Sequence, residues 1–318
     1  MTLTQATIRQ KGLDLGFDAL GITHGLPVST THAQHFDQWL LQGHAGSMGY
    51  MGRHRDKRLS PQLFHGPTES IIIVGLNYKP ERDLPDVLPM GQGRVAHYAW
   101  YSDYHLFMKE RLHELLAWIQ AETPLPAKAK VCVDSAPVAE RSLAQRAGLG
   151  FLGKNHMLIH PELGPELFLG ELFLPLPLPH DEAMKKDCGT CRLCLDACPT
   201  GALQDDGYFN ASRCINTLTI EHKEEIPDAL AQLLGDRVYG CDQCVKVCPY
   251  AKRAPAHTHP QFQIRESQRT LSLDAILALD QTAFEEEFVD TPIHRLGLTC
   301  LKRNARHVIQ NEQKRACL

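Results

Sequence analysis

Eight of the eleven cysteines lie in two sets whose spacing suits the binding of iron–sulfur clusters. The first set is Cys188-x-x-Cys191-x-x-Cys194-x-x-x-Cys198-Pro199, and the second is Cys214 followed by Cys241-x-x-Cys244-x-x-x-Cys248-Pro249. A short loop with a thiolate at every third residue can wrap one cubane, and in two-cluster ferredoxins the cysteine before the proline ligates the other cluster. The pattern therefore indicates two [4Fe–4S] clusters and a protein that transfers single electrons.

The same rule predicts which cysteines share a cluster. One set of ligands is Cys188, Cys191, Cys194 and Cys248, and the other is Cys198, Cys214, Cys241 and Cys244. A pair of zinc sites is the alternative, because four thiolates also suit zinc, although runs of three cysteines followed by Cys-Pro are unusual there. The leftover thiols, Cys132, Cys300 and Cys317, are interpreted as buried or incidental.

Length and composition place these clusters in a larger protein. The chain has 318 residues, 43% of them hydrophobic, which is enough for two domains of roughly 100–200 residues. The sequence contains no apolar run of the roughly 18 residues that span a bilayer, and its N-terminal stretch lacks the apolar core of a signal peptide. We therefore expect a cytoplasmic protein without a membrane partner, in whose reducing surroundings cysteines bind metals instead of forming disulfides.

The formal charge of −4 argues against a protein that coats nucleic acid by bulk electrostatics. Basic side chains nevertheless cluster near the C-terminus, in a stretch that is predicted to be helical: Lys302, Arg303, Arg306, His307, Lys314 and Arg315. Such clustering is typical of a nucleic-acid contact. An ordinary solvated helix face is the alternative interpretation.

The order of predicted elements indicates an N-terminal domain of the α/β or mixed α+β class. Helices are predicted over residues 3–16, 31–43, 103–121 and 135–148, and strands over residues 17–22, 70–76 and 131–133. Strands that alternate with helices form layered domains. The sequence contains neither G-x-G-x-x-G nor a P-loop motif, so a nucleotide site has no support.

A stiff proline-rich segment, residues 175–179, marks the clearest domain boundary. We predict an α/β catalytic domain over residues 1–178, a bacterial-ferredoxin-like module with both clusters over 179–256, and a short helical C-terminal segment over 257–318. In that last segment, helices are predicted over residues 273–288 and 292–310.

Motifs outside the cysteine sets match one known family. They are Arg55-Asp56-Lys57-Arg58-Leu59-Ser60-Pro61, Asp103-Tyr104-His105, residues 133–141, Gly153-Lys154-Asn155, residues 198–202, Leu218-Thr219-Ile220-Glu221, residues 239–244 and Pro292-Ile293-His294-Arg295. On these motifs, which are spread over nearly the whole chain, the sequence resembles the epoxyqueuosine reductases, cobalamin-dependent enzymes of the last step of queuosine formation in tRNA.

The resemblance implies a corrinoid between the N-terminal domain and the ferredoxin-like module, with clusters that deliver electrons to cobalt. The resting state would be cob(II)alamin, and the active state cob(I)alamin, which attacks the epoxide of epoxyqueuosine at the wobble base. Loss of the oxygen as water then gives the alkene, at the cost of two electrons and two protons. The implied partners are an external low-potential electron donor and tRNAs with a GUN anticodon, for tyrosine, histidine, asparagine and aspartate, bound by a monomer.

The resemblance places the catalytic proton donor at Asp134, which lies at the end of a predicted buried strand. An ordinary aspartate has a pKa near 3.9 and is ionised at neutral pH. We therefore expect burial or a negative neighbour to raise the pKa of Asp134. From the residues alone, the alternative is a helix cap, because Asp134 or Ser135 directly precedes Ala136-Pro137.

The resemblance also implies a set of residues that contact the corrinoid. They are Lys57, Arg58, His97, Asp134, Asn155, His156, Asn216 and Asp242. Three positions depart from the family pattern: His97 stands where relatives often carry arginine, His156 replaces a small or thiol residue, and Asn216 replaces a serine. A solvated charge run at Lys57 and Arg58, and an ordinary histidine at 156 that is not an axial ligand of cobalt, are the alternatives.

Many relatives continue beyond the position of Leu318 into helical repeats that help to grip tRNA. We therefore expect the ferredoxin face and the basic C-terminal stretch to contact the tRNA here. Competing functions are a reductive dehalogenase, a ferredoxin-type electron carrier without a corrinoid, and a non-catalytic tRNA-binding protein. Respiratory dehalogenases usually carry an export signal and place a tyrosine where this chain has Asp134.

Overall fold

The computed structural model describes residues 3–317, which fold around a four-stranded sheet. The strands of these residues are β1 (Ala19–His24), β2 (Ser70–Asn77), β3 (Gln92–Val95), β4 (Lys130–Cys132), β5 (Phe151–Leu152), β6 (Leu158–Ile159), β7 (Leu167–Leu174), β8 (Arg237–Tyr239) and β9 (Thr270–Ser272). The main sheet has the order β1-β2-β7-β4, and each neighbouring pair is antiparallel.

Helices cover this sheet and connect it to the cysteine-rich region. They are α1 (Gln5–Asp14), α2 (Thr30–Leu41), α3 (Tyr50–Arg53), α4 (Arg55–Leu59), α5 (Pro61–Phe64), α6 (Tyr104–Glu122), α7 (Glu140–Arg146), α8 (Leu193–Asp196), α9 (Ile215–Ile220), α10 (Asp228–Ala231), α11 (Gln243–Lys246), α12 (Pro249–Arg253), α13 (Leu273–Ala278), α14 (Gln281–Phe288) and α15 (Leu298–Ala316). Short 3₁₀ helices lie at His97–Ala99, Ala211–Arg213, Gln232–Leu234, Glu266–Gln268 and Pro292–Leu296.

The central strand β2 is buried along its whole length, because both faces of the sheet are covered. Side chains of a strand alternate between the two faces. Ile72 and Val74 pack into one core together with Leu112 of α6, whereas Ile73 packs into a second core with Leu143 of α7. The sheet is therefore the middle layer between α6 and α7.

Three strands were predicted from the sequence, and the structure confirms them as β1, β2 and β4, with ends that shift by one to two residues. No strand is predicted from the sequence at the position of β7, although β7 lies inside the sheet between β2 and β4. All pairings in the main sheet are antiparallel, so the domain is of the mixed α+β kind.

A second sheet joins distant parts of the chain. Its order is β8-β3-β9, in which β3 pairs in parallel with β8 and antiparallel with β9. Each of the three predicted domains contributes one of these strands, and α15 packs against β8. The cysteine-rich region is thus anchored to the N-terminal part through backbone hydrogen bonds.

Several helix boundaries differ from the sequence-based expectations. The helix expected over residues 135–148 begins only at Glu140, and its cap residue, Ala139, makes no side-chain capping bond. The alternative that Asp134 or Ser135 caps this helix is therefore wrong. The helix expected over 273–288 is two helices, α13 and α14, each with its own capped start. The stretch 292–310 also divides, because Gly297 has φ +85° between the 3₁₀ turn and α15.

The basic residues of α15 do not form one exposed face. Arg303 is 4% exposed, and its guanidinium donates to the carbonyl oxygens of Leu218, His222 and Glu224. His307 is also buried. The exposed members of the cluster are Arg306, Lys314 and Arg315. The exposed basic face of α15 is therefore smaller than predicted. Arg303 instead connects α15 to the end of α9 and the segment after it through hydrogen bonds.

None of the helices in residues 3–317 has the length and apolar character that a membrane span requires.

Candidate active site

Asp134 lies in the loop after β4, on a backbone that an L-residue rarely adopts. Its φ is +55°, in the left-handed region. Its Oδ2 accepts hydrogen bonds from the Tyr104 hydroxyl at 3.1 Å and from His105 Nε2 at 3.2 Å, both from the first turn of α6. The Asp134 side chain is 58% exposed. The turn therefore presents a hydrogen-bonded carboxylate to an open space.

Two further charged residues hold His105 in place. His105 Nδ1 lies 2.6 Å from Asp103 Oδ1, and its Nε2 lies 3.0 Å from the Arg295 guanidinium and 3.2 Å from Asp134. Arg295 also donates to Asp103 Oδ2 at 3.1 Å. Because Nε2 carries a hydrogen only when the ring is protonated or in one tautomer, it donates to Asp134 in one state and accepts from Arg295 in the other.

The electrostatics place the proton on His105 and the negative charge on Asp134. Burial lowers the pKa of His105, but hydrogen bonds to Asp103 and Asp134 outweigh it and raise the pKa above its ordinary value. Burial raises the pKa of Asp134, yet the bonds from His105 and Tyr104 and the charge of Arg295 bring it below its ordinary value. The expected rise in the pKa of Asp134 is therefore wrong for this arrangement.

Two more carboxyl groups lie behind Asp134. Glu140 Oε1 accepts the backbone N–H of Asp134 at 2.9 Å, and burial together with the charge of Asp134 raises the pKa of Glu140 to about 8. Glu171, in β7 opposite Cys132, is 0% exposed, and neither of its carboxyl oxygens has a hydrogen-bond partner among residues 3–317. Burial and the charges of Glu140 and Asp134 raise the pKa of Glu171 well above its ordinary value. Burial therefore favours the neutral form of both glutamates.

Phenols interact electrostatically with the exposed Asp134 carboxylate. Burial raises the pKa of Tyr50 to about 12, and the charges of Glu221 and Asp134 add to it. Burial also raises the pKa of Tyr98 well above its ordinary value, with contributions from Tyr239 and Asp134. Tyr50 is 37% exposed and Asp134 is more exposed than that, whereas the Tyr98 hydroxyl donates to Tyr239 at 3.2 Å. Tyr50 of α3 and Asp134 are therefore both accessible from solvent.

The basic pair predicted from the sequence divides between the surface and the interior. Lys57 is exposed on α4, whereas Arg58 is half-buried and donates to the carbonyl oxygen of Val138 at 3.3 Å. The Nε of Arg58 is buried without a partner among the described residues. Burial lowers the pKa of Arg58, while Asp134 is among the acidic groups that raise it. Arg58 thus has an unused donor close to Asp134.

His97 has a different place from the one predicted. Its Nδ1 lies 2.7 Å from Glu166 Oε1 and its Nε2 lies 2.9 Å from Asp83 Oδ1, so both ring nitrogens are engaged inside the protein. Burial lowers the pKa of His97, but the acidic groups Asp242, Asp83 and Glu166 raise it to about 9. The geometry does not support a direct cofactor contact. His97 instead fixes Asp242, whose Oδ2 accepts the His97 backbone N–H at 2.8 Å.

Asn155 and His156 join the N-terminal part to the cysteine loops. Asn155 is 6% exposed, and its Nδ2 donates to the carbonyl oxygen of Cys244 at 3.3 Å. His156 has φ +59° and lies beside Phe209, with ring centroids 5.6 Å apart. Burial, and next the charge of Arg141, lowers the pKa of His156 to about 4, so its ring is neutral at pH 7.

Asn216 lies on α9 beside Gly240. Its Oδ1 is 3.2 Å from the position that a Cβ of Gly240 would take, and a ring carbon of Tyr98 is 3.6 Å from the same position. Gly240 has φ +72°, and that Cβ would lie 2.5 Å from the Cβ of Ala96. Only glycine therefore fits there, and its small size brings Asn216 to the wall that carries Tyr98.

Charge interactions link the thiols of the first predicted ligand set. Burial raises the pKa of Cys188, and the nearby thiols of Cys248 and Cys191 raise it further. Burial likewise raises the pKa of Cys194, with Cys188 and Cys191 as neighbours. Cys248 thus approaches the first three cysteines from the other end of the module.

Charge interactions also link the thiols of the second predicted ligand set. Burial raises the pKa of Cys244 well above its ordinary value, and Cys241, Cys214 and Cys198 add to it. Cys214 in turn has Cys198 as a neighbour. Each of these thiol pairs joins members of one predicted ligand set.

Several residues at the site received no role from the sequence analysis. His105, Tyr104 and Arg295 lie in motifs that were matched, but only the fold shows that they meet Asp134. Glu171 carried no motif at all. Its one signal in the sequence was a charged residue inside an otherwise apolar stretch, residues 167–174.

Comparisons with known proteins agree on one family. Residues 187–251 match the family described as 4Fe-4S double cluster binding domain, and residues 58–135 match the family described as Epoxyqueuosine reductase QueG, DUF1730. The chain is 40% identical over 295 residues to the epoxyqueuosine reductase of Xanthomonas campestris, a match that spans 92% of this chain and 82% of that protein.

Solved structures give the same result. A crystal structure of epoxyqueuosine reductase with an epoxyqueuosine-modified tRNA-Tyr stem loop matches with a TM-score of 0.89 at 30% identity, over 96% of this chain and 81% of that one. A structure of the enzyme from Bacillus subtilis, in which an aspartate-bearing catalytic loop is swung out of the active site, matches with a TM-score of 0.87 at 29% identity, over 98% and 82% of the two chains.

Proposed function

The chain belongs to the epoxyqueuosine reductase family, and we infer from this membership and from the site geometry that it reduces epoxyqueuosine to queuosine in tRNA. The observation that carries the inference is the Asp134 carboxylate, which is exposed and accepts hydrogen bonds from His105 and Tyr104. The reaction is a two-electron reduction in which the epoxide oxygen leaves as water.

The cofactors of this family, two [4Fe–4S] clusters and cobalamin, fit the residues present. The eight thiols lie within the double-cluster match. The exposed side of Asp134 has the partly exposed phenol of Tyr50 near it, and a phenol can both donate to and accept from the amide-bearing periphery of a corrin ring. When bound, cobalamin supplies a low-potential cobalt nucleophile for the epoxide carbon.

The contribution of the chain itself is to deliver protons through Asp134. Protonated His105 donates from Nε2 to Asp134 Oδ2, and Asp134 passes the proton to the epoxide oxygen, which develops negative charge as the ring opens. The neutral ring of His105 then accepts from Arg295, which lies 3.0 Å from Nε2. Arg295 thus stabilises the deprotonated state and prepares the site for the next proton.

We also propose the crossed cluster ligation. Cys188, Cys191, Cys194 and Cys248 would bind one cluster, and Cys198, Cys214, Cys241 and Cys244 the other. The proximity of the thiols within each set supports this assignment. The division into residues 1–178, 179–256 and 257–318 remains a proposal about function: the first part would hold most of the Asp134 site, the second the clusters, and the third would support both.

The finer features of the partners are proposals as well. The tRNA substrate would carry a GUN anticodon, an external low-potential donor would reduce the clusters, and the protein would act as a monomer in the cytoplasm, where tRNA is modified. The exposed residues Arg306, Lys314 and Arg315 are candidates for contacts with tRNA phosphates. A tRNA affinity that falls steeply with added salt would support such contacts.

The direct test is the conversion of nucleosides in tRNA. Epoxyqueuosine-containing tRNA is incubated with anaerobically reconstituted protein, cobalamin and a low-potential reductant, and its nucleosides are measured by mass spectrometry. We expect queuosine to replace epoxyqueuosine, with no conversion when the reductant is omitted. Persistent epoxyqueuosine in the presence of protein that holds both clusters and cobalamin would contradict the function, and organohalides would be the next substrates to test.

A further inference from the structure

The hairpin of β5 and β6 has a turn that its own hydrogen bonds hold in a fixed shape. Gly153 donates its backbone N–H to the carbonyl oxygen of Met157 at 2.9 Å, and His156 donates to that of Gly153 at 2.9 Å. Met157 in turn donates its backbone N–H to Asn155 Oδ1 at 3.2 Å. These bonds fix the backbone of the remaining residue of the turn, Lys154.

Apolar packing places this hairpin directly on the cysteine module, residues 179–256. Phe151 of β5 and Ile159 of β6 are buried, and they share a core with Val245 and Cys248 of the module. Burial of apolar surface is the dominant favourable contribution to such a contact. The hairpin belongs to the N-terminal part of the chain, but its position is therefore set by the module.

Lys154 contacts the loop of the first predicted ligand set through both its backbone and its side chain. The backbone N–H donates to Cys188 Sγ at 3.4 Å. The ammonium group donates to the carbonyl oxygens of Gly189 at 2.8 Å and Cys191 at 2.9 Å. One residue thus supplies a hydrogen bond to a predicted ligand sulfur and a positive charge that is bound to the same loop.

The neighbouring residue in the turn contacts the other ligand loop with a neutral group. Asn155 Nδ2 donates to the carbonyl oxygen of Cys244 at 3.3 Å, and Cys244 belongs to the second predicted ligand set. The turn therefore brings a cation to one ligand loop and an uncharged amide to the other.

A bound cation and a hydrogen bond to sulfur both favour a more negative cluster. A [4Fe–4S] cluster gains one negative charge when it accepts an electron, so both contacts stabilise the reduced state. Burial raises the pKa of the Cys188 thiol, whereas the backbone bond and the charge of Lys154 lower it, which is the same preference for negative sulfur. An ordinary surface lysine has little effect, because it moves freely and is screened. Two carbonyl oxygens hold the ammonium group of Lys154 in place.

We propose that Lys154 raises the reduction potential of the cluster that Cys188 binds, a role that rests on the proposed function. An external one-electron donor would reduce this cluster from [4Fe–4S]²⁺ to [4Fe–4S]⁺, while the donor is oxidised by one electron and no proton moves. Lys154 is a positioning residue, since it acts on the electron supply through Cys188 and its loop.

The test is a potentiometric titration of the reconstituted holoenzyme, followed by electron paramagnetic resonance. Lys154→Met keeps the backbone N–H and the approximate length of the side chain but removes the charge. For one of the two clusters, we expect about a tenfold fall in the ratio of reduced to oxidised form at a given potential. This fall equals a shift of the midpoint potential by about 59 mV to more negative values for one electron. The midpoint potential of the other cluster should stay unchanged.

Further variants separate the charge of Lys154 from its contribution to structure. Lys154→Arg keeps a cation that can donate to carbonyl oxygens and should restore most of the wild-type potential. Lys185→Met removes an exposed charge from the segment before Cys188 and should leave both midpoint potentials unchanged. Iron content should be equal in all these proteins. If Lys154→Met lost iron, Lys154→Gln would give the same comparison, because its amide still donates but carries no charge.

The outcomes distinguish this role from the proposed function. Unchanged midpoint potentials in a variant without the charge, or an equal shift of both, would overturn the role of Lys154, even if the wild-type enzyme converts epoxyqueuosine. A shift of one midpoint potential that Lys154→Arg reverses would support the role. The same shift in a protein that holds both clusters and cobalamin but leaves epoxyqueuosine unchanged would support the role and contradict the proposed function.

Discussion

The cysteine module and the Asp134 site are built in opposite ways. Seven of the eight predicted cluster ligands lie in two short runs, residues 188–198 and 241–248. The Asp134 site gathers groups from distant parts of the chain: His105 and Arg295, which are in contact, lie 190 residues apart in sequence. The first site is thus encoded by local spacing, and the second exists only after folding.

This difference determines what each region tolerates. In the module, a thiol acts through direct bonds to a metal, so the loss of one ligand is a local event. Around Asp134, the protonation of each group depends on its neighbours, since His105, Glu140 and Glu171 are all shifted by charges from other elements. A single substitution there changes the proton distribution of the whole site.

The largest expected effect tests whether local spacing alone assigns the cluster ligands. Crossed ligation predicts that the double variant Cys188→Ser, Cys248→Ser loses one cluster and keeps about half of the iron. The double variant Cys188→Ser, Cys198→Ser should lose most of the iron, because each substitution affects a different cluster. Iron analysis and electron paramagnetic resonance distinguish the two. If the two variants exchange these results, the ligation is uncrossed. Conversion of epoxyqueuosine should be abolished in both variants.

The next effect tests the assembled site. Asp134→Asn should slow conversion by about 10²–10⁴-fold, because an amide cannot pass on the proton that His105 supplies. Iron content and cobalamin binding should remain unchanged, since the substitution preserves size and the exposed side chain packs little. Single-turnover kinetics measure the effect, with the exposed Asp274→Asn as the matched control. Turnover within a few-fold of the wild-type rate would remove Asp134 from the mechanism.

The sequence predicted what is local in both regions. Alternating and continuous apolar patterns located β1, β2 and β4 as well as α1, α2 and α6, which the structure confirms. The motif around Asp134 was also identified, but not its electrostatics. The expected rise in its pKa fails because Arg295 and His105 reach it from segments that no local pattern connects.

There is a physical reason why the sequence does not predict β7, and it concerns the residue Glu171 near Asp134. Gly170 and Glu171 interrupt its apolar residues, and a glutamate in the middle of a strand argues against burial. The structure buries Glu171 completely nevertheless. Such a conflict between a local pattern and its environment is expected at functional sites. The start of α7 also differs from the prediction, because the helix expected from residue 135 begins at Glu140.

A loss of stability of intermediate size is expected at the contact between the N-terminal part and the cysteine module, where the backbone N–H of His97 donates to Asp242. Acidic partners raise the pKa of His97 to about 9, so its charge contributes stability that is complete below about pH 6.5 and is lost as the pH rises through 9. The loss should amount to about 3 kcal/mol. His97→Arg, the residue often found in relatives, stays charged and should lose less.

Denaturant unfolding of the holoenzyme at neutral and alkaline pH measures this difference. Other groups titrate in both proteins, so the contrast between wild type and His97→Arg isolates the contribution of the imidazolium. Equal losses of stability in the two proteins would mean that the charge on His97 does not hold this contact together, and that the single hydrogen bond which a neutral ring can donate, to Glu166 or to Asp83, suffices.

The smallest expected effect is a gain in stability and not a loss. In the cysteine module, buried polar atoms serve a metal, whereas Glu171 is a buried acid without any partner among the described residues. Replacing such a group with an apolar one of similar size removes a desolvation cost, so Glu171→Leu should stabilise the protein by about 1–3 kcal/mol. Thermal unfolding of the holoenzyme measures the gain, and the exposed Glu287→Leu should change stability by less than about 0.5 kcal/mol. A lower melting temperature for Glu171→Leu would show that Glu171 has a structural role, whereas greater stability would show a buried acid that is retained at the expense of the core.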